Sequence, residues 1–203
     1  MKLYFSPGAC SMSPHIVAKE LGLELQLEKV DLGAKKLADG SDFTTINSKG
    51  QVPALQLDSG EVLTEGPTIV QYLADRNPGA KLLPEPGTME RYRVQEMLGH
   101  INSEIHKTYL PLFSPASTPE LRKANEETLR KHYGLLEQRL SDRPYLFGEQ
   151  FTVADAYLFT VTNWANFVKL DLSSFPSLMA FQQRVASRPA VHATLVAEGL
   201  AAA

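Results

Sequence analysis

Residues 2–32 read "KLYFSPGACSMSPHIVAKELGLELQLEKVDL", and the order of patterns in this stretch decides the fold. "KLYF" is a short apolar run of strand length. "SPHIVAKELGL" reads as an amphipathic helix, with Ser13 placed to cap it, Pro14 suited to its first turn and Gly22 to its end. In "LELQLEKVDL", Leu23, Leu25 and Leu27 alternate with Glu24, Gln26 and Glu28, the period of a strand with one face covered. Strand, helix and strand make a βαβ unit, whose crossover joins parallel strands. The loop between the first strand and the helix, "SPGACSMSP", holds the only cysteine of the 203 residues.

Outward from this unit, "GAKKLADGSDFTTINSKG" is polar and without period, and "VPALQL" and "EVLT" follow as an antiparallel hairpin closed by "DSGE". "EGPTIVQYLADRNPG" is a helix with Pro67 in its first turn and a stop at Asn77, Pro78 and Gly79. Residues 1–77 therefore spell βαβ and then ββα, an α/β domain. Residues 78–88 have the Pro and Gly content of a linker, and 89–203 form an all-α domain with no convincing strand. Within it "MERYRVQEMLGHINSEIHKTYLPLF" places Val94, Leu98, Ile101 and Ile105 at helical spacing. "TPELRKANEETLRKHYGLLEQRL" opens with Thr118 and Pro119, "TVADAYLFTVTNWANFV" with Thr152 and Asp155 as a capping box, and "SLMAFQQRVASR" and "AVHATLVAEGL" are the last helices.

Composition excludes several function classes. A net charge of -3 and no basic cluster interleaved with aromatics argue against nucleic acid. "MKLYFSPGA" falls short of a signal peptide and no later run approaches membrane-spanning length, so the expected setting is the cytoplasm, away from membranes. A single Cys fits a reducing compartment. No Cys/His or His/His pair has ligand spacing, so no metal is expected.

Cys10 lies just before a helix start, where unpaired N–H groups and the helix dipole favour thiolate. A dipole effect of about 0.3 to 1 kcal/mol moves a pKa by less than one unit, so a reactive sulfur here needs a further polar group from elsewhere. The residues alone fit a chemical role and a small buried hydrophobe about equally. "CSMS" inside strand, loop and helix resembles redox proteins of the thioredoxin type, but without a second cysteine any exchange must use an external thiol. Pro53, at the mouth of a strand in "QVPAL", reads as a cis residue that leaves the Val52 main chain open to an extended peptide, or as an ordinary edge-strand proline, the commoner case. In "TEG", Gly66 opens a helix able to take a carboxylate, while Glu65 either takes an ammonium or merely complements the dipole.

Together, "MKLYFSPGACSMSPHI", "QVPALQLDSG", "LTEGPTIVQYLAD", "SEIHK", "FTVADAYLF" and "FPSLMAFQQRV" resemble, in order and spacing, the cytosolic glutathione transferases, specifically the bacterial beta class. The resemblance implies a thioredoxin-like N-terminal domain followed by a helical domain that lines the electrophile site. It implies glutathione as co-substrate, with no bound cofactor: its sulfur toward Cys10, its cysteinyl backbone on Val52 beside a cis Pro53, its γ-glutamyl end on Glu65 and Gly66, and its glycine carboxylate on Lys35. It brings Ser103, Glu104 and His106 into the same site, His106 favouring the thiolate by hydrogen bond or charge. Helical geometry agrees in setting His106 about 100° round from Ile105, beside the apolar stripe and on one face with Asn102. It further implies a homodimer with a site at each inter-domain cleft.

Gly99 departs from the amide that the resemblance implies at that position, so the contact to the partner subunit is absent unless Asn102 substitutes for it or Glu104 faces the other chain instead. Tyr4, the activating type of residue in other classes, faces away from Leu3 and Phe5. Ser11 is a second possible donor to sulfur, and Thr152 and Asp155 read as structural. Trp164 belongs either to the electrophile site or to the core, and His15, His100, His132 and His192 read as surface or packing residues. The expected function is transfer of glutathione sulfur to small hydrophobic or halogenated electrophiles, with thiol–disulfide exchange through a Cys10 thiolate beside it. The competing reading is a non-catalytic binding or regulatory protein on the same fold.

Overall fold

The computed structural model describes residues 1–202, which form two compact units, Met1–Leu83 with the segment from Ser187 onward, and Pro84–Ala186. In the first unit β1 (Lys2–Phe5) is central, with β2 (Gln26–Asp31) parallel to it on one side and β4 (Ala54–Gln56) antiparallel on the other. The edges are β3 (Lys36–Leu37) and β5 (Val62–Thr64), giving the order β3-β2-β1-β4-β5. Leu3 and Leu55 lie opposite each other and are fully buried. The alternate residue Tyr4 joins Val30, Phe43, Val52 and Ala54 in a separate cluster on the other face. α1 (Met12–Glu20) and α2 (Gly66–Asp75) pack on each other.

Three details depart from the sequence pattern. The alternation at Leu23–Leu27 begins before the ladder does, since pairing with β1 starts at Gln26. The polar stretch after β2 contains β3, because the Asp31 carboxylate accepts from the N–H groups of Gly33 and Ala34 at 2.8 and 2.9 Å and turns the chain back onto β2. α1 starts at Met12, and Ser13 donates its hydroxyl to the Cys10 carbonyl at 2.9 Å instead of capping the helix.

The expected second domain, 89–203, also loses its last segment to the first unit. α9 (Pro189–Ala197) packs on α1, and Arg188 holds Glu20 through two bonds of 2.6 and 2.8 Å. The Glu198 carboxylate accepts from the Gly8 N–H at 2.8 Å and pairs with His15 Nδ1 at 2.9 Å, all of it buried. His15 is thus a bonded interior group, where the sequence suggested a surface or packing role. Two buried bonds to the Glu198 carboxyl thus tie this segment to the first unit.

The second unit holds α3 (Met89–His100), a wide π turn (Ile101–His106), α4 (Lys107–Phe113), α5 (Pro119–Leu140), α6 (Val153–Thr162), α7 (Trp164–Val168) and α8 (Pro176–Ala186). Thr88 and Thr118 accept from the N–H of Arg91 and Leu121, capping α3 and α5. The Thr152–Asp155 box starts α6, every residue of which is buried, and Asp155 also accepts from Leu146 N–H at 2.8 Å. Glu137 of α5 takes the N–H groups of Ser177 and Leu178 at 2.9 and 2.8 Å, which fixes the start of α8. Among the described residues no helix is long and apolar enough to cross a membrane.

Candidate active site

In the first unit the loop before α1 is closed on itself. Ser11 Oγ accepts from Ser6 N–H at 3.1 Å and lies 3.3 Å from the Ser6 carbonyl, while Gly8, at φ 72°, turns its N–H to Glu198. Ser11 is therefore committed to the loop, contrary to its reading as a donor to sulfur. The closure sets Cys10 one residue ahead of the helix cap, where its Sγ donates to the Val52 carbonyl at 3.1 Å.

The segment Lys49–Pro53 ties the remaining candidates together. The Val52–Pro53 bond is cis, and a Cβ on Gly66 would stand 3.7 Å from the Pro53 ring, so the start of α2 lies against that proline. Lys35, at φ 57°, donates its ammonium to the Gly50 carbonyl at 2.9 Å. Lys49 reaches Glu65 at 2.5 Å and Thr64 Oγ1 at 2.9 Å. Glu65 itself stands at φ 70°, ψ 111°, a conformation that costs a non-glycine residue about 1 to 3 kcal/mol and is held where surrounding structure enforces it. Cys10, Lys35, Val52, Pro53, Glu65 and Gly66 thus surround one strip of backbone.

Cys10 does not carry the anion expected from its position. Burial pushes its thiol up to about 12, the Glu65 charge adds to this, and the N–H groups of Cys10 and Ser11 pull back only in part. At neutral pH the sulfur is protonated, consistent with its role as donor to Val52. Tyr4 offers no alternative: its hydroxyl is turned to Gln56 at 3.1 Å, and burial, with the nearby Glu28 charge, raises its pKa.

In the second unit the Lys107 N–H reaches back five residues to the Asn102 carbonyl, which is the wide turn that carries "INSEIH". His106 Nδ1 lies 2.6 Å from the Tyr157 hydroxyl of α6, and that hydroxyl donates to Asn102 Oδ1 at 2.9 Å. Asn102 Oδ1 is therefore engaged within its own unit. Trp164 packs edge-on against His106 at 4.8 Å, Tyr109 at 5.7 Å and Phe113 at 5.6 Å, joining an aromatic cluster whose outer member, Phe113, is exposed. Ser103 and Glu104 leave the same turn toward α5: Ser103 donates to Glu104 at 2.9 Å, and Glu104 lies 3.6 Å from His132 Nε2, whose ring meets His100 at 5.0 Å. Among the described residues no group of three side chains could hold a metal ion.

Three residues were missed in the sequence. Lys49 gave no signal beyond its charge. Glu198 sits in a terminal segment whose neighbours could not be read. Tyr157 offered one clue, a hydroxyl within the otherwise apolar stretch "AYLF".

Residues 1–75 match the family model "Glutathione S-transferase, N-terminal domain", and residues 100–189 match "Glutathione S-transferase, C-terminal domain". The curated glutathione S-transferase GstA of Escherichia coli O157:H7 is 46% identical over 200 residues, covering 98% of this chain and all of that one. A bacterial beta-class glutathione S-transferase of Sphingomonas chungbukensis superposes with a TM-score of 0.95 at 47% identity, over 99% of this chain and 100% of that one. A sphingomonad glutathione S-transferase in complex with glutathione gives 0.95 at 46% identity, over 99% of this chain and 100% of that one.

Proposed function

The chain belongs to the glutathione S-transferase family, among its bacterial beta-class members, and from that premise we propose that it joins the sulfur of glutathione to small hydrophobic or halogenated electrophiles. The observation that carries this reading is the Cys10 thiol, 3.1 Å from the Val52 carbonyl at the head of a cis proline turn that abuts the start of α2.

Glutathione offers an extended main chain, a γ-glutamyl end with ammonium and carboxylate, a glycine carboxylate and a thiol. The Val52 main chain pairs with the cysteinyl unit as an added strand would, beside Pro53. Glu65 takes the ammonium, the N–H of Gly66 at the α2 start takes the α-carboxylate, and Lys35 takes the glycine carboxylate. Glutathione's cysteinyl N–H and the Cys10 S–H compete for the same acceptor, Val52 O. When the tripeptide takes it, Cys10 turns to donate to the glutathione sulfur, a neutral donor that stabilises a thiolate without replacing it as nucleophile.

His106 accepts the proton of glutathione's thiol. The sulfur then attacks the electrophilic carbon; a C–S bond forms, the bond to the leaving group breaks, and halide departs with its electron pair. Disulfide exchange through Cys10 requires its thiolate, scarce at neutral pH for a thiol raised to about 12, so conjugation is the principal reaction. The working form is a cytoplasmic homodimer.

The test is retention on immobilised glutathione, followed by conjugation of an aryl halide and reduction of a mixed disulfide by wild type and Cys10→Ala. Expected is retention of both proteins, with conjugation by the variant within about tenfold of wild type and disulfide reduction by the variant abolished. Retention without turnover in the wild type would leave only a binding protein, and failure to bind glutathione would end the reading.

A further inference from the structure

The contact between His106 and Tyr157 has a direction, and Asn102 decides it. A tyrosine hydroxyl has one proton to give. That of Tyr157 goes to Asn102 Oδ1, an atom that can only accept, at 2.9 Å. At the 2.6 Å contact on its other side, the Tyr157 oxygen is therefore the acceptor and His106 Nδ1 the donor. An uncharged imidazole bears one N–H, so with the proton on Nδ1 its lone pair lies on Nε2.

We propose that Tyr157 and Asn102 are positioning residues that hold His106 in its Nδ1–H form, making Nε2 the atom that accepts the thiol proton of glutathione. This rests on the transferase reading above and adds to it the atom and the groups that select it. The wide turn is what makes the arrangement possible. It carries Asn102 and His106 on one six-residue segment, and Tyr157 on α6 reaches both with a single hydroxyl. Trp164, edge-on at 4.8 Å, fixes the ring plane so that the chosen tautomer also has a fixed aim. After proton transfer Nε2–H becomes a donor to the new thiolate, and the Nδ1–H bond to Tyr157 is retained and strengthened by the charge. A partner bonded to the far nitrogen is how proteins commonly select one histidine form, as metal-bound histidines illustrate.

The direct test is a multiple-bond proton–nitrogen spectrum of the full-length protein labelled with 15N-histidine, recorded under mildly alkaline conditions, with the His106 signals identified by their loss in His106→Gln. Expected for wild type is Nδ1 in the protonated range and Nε2 in the unprotonated range. The reverse pattern overturns the proposal. Asn102→Leu removes the acceptor and lets the Tyr157 proton turn toward Nδ1. The ring should then move toward the Nε2–H form, with kcat for conjugation down about tenfold and the glutathione KM within about twofold. Asn102→Asp keeps the acceptor and should preserve the wild-type pattern, with kcat within about threefold. An Asn102→Leu protein whose His106 signals match wild type also overturns the proposal. Full turnover by His106→Gln sinks the transferase role of His106 itself, a failure read from activity and separable from the tautomer pattern.

Discussion

Around Cys10 the atoms that matter belong mostly to the main chain: the Val52 carbonyl, the N–H groups of Cys10 and Ser11, and a proline turn set by its own peptide bond. Around His106 they are side chains from three helical segments, the Tyr157 hydroxyl, the Asn102 amide and the Trp164 ring. Both regions aim a functional group by hydrogen bonds, yet they use opposite materials. A main-chain site survives exchange of many of its side chains, because the carbonyl stays where the backbone puts it. A side-chain site has no such reserve, since each deletion removes an atom that another group needs.

The largest test of this contrast is His106→Ala, expected to lower kcat/KM for conjugation about a hundredfold or more while the glutathione KM changes little. Steady-state rates with varied glutathione read both parameters, and a loss confined to KM would make His106 a binding group. Alkylation of Cys10 comes next. With its thiol raised to about 12, thiolate accumulates only as pH rises toward that value. Iodoacetamide should therefore react at neutral pH about a hundredfold more slowly than with an unstructured cysteine peptide, after allowing for the higher nucleophilicity of a more basic sulfur. A midpoint in the rate profile below pH 9 would restore the anionic Cys10 that its position before a helix first suggested.

Glu65→Gln keeps the shape of the α2 start and removes the charge to which the proposal assigns the ammonium. Glutathione should bind about tenfold more weakly by calorimetry, a loss on the scale of one charged hydrogen bond. Unchanged affinity would return Glu65 to the role of a helix-start acid. The smallest effect is expected at Lys49, whose ammonium holds Glu65 in an exposed pair. Lys49→Met frees that carboxylate, so glutathione should bind about two- to threefold more tightly at low salt, with the gain fading as salt rises. Weaker binding by this variant would show that Lys49 itself grips the tripeptide.

Much of the first region was legible because its geometry is local. Proline after Val52, glycine after Glu65 and a turn-rich loop before an amphipathic helix restrict the backbone within a few residues, and the main chain supplies the acceptor for the Cys10 thiol. The second region was legible only at His106, whose spacing put it beside the apolar stripe. Tyr157 was hidden because a buried tyrosine in an apolar helix looks like core, and only a partner on another helix reveals what its hydroxyl does. Asn102 was noticed on one face with His106, but its bond to Tyr157 was hidden, since helical period says which residues share a face and not which atom each one meets.

Periodicity, caps and turn residues alone determined the parallel βαβ opening, the hairpin, the helical second half and the Thr152–Asp155 box, because each is settled by forces acting within one or two turns of chain. The bond from Cys10 to Val52, the contact of His106 with Tyr157 and the pairing of Glu198 with His15 belonged to the tertiary structure. They join atoms 42, 51 and 183 residues apart in sequence. Desolvation and hydrogen-bond partnership take effect only once folding has brought such atoms within reach.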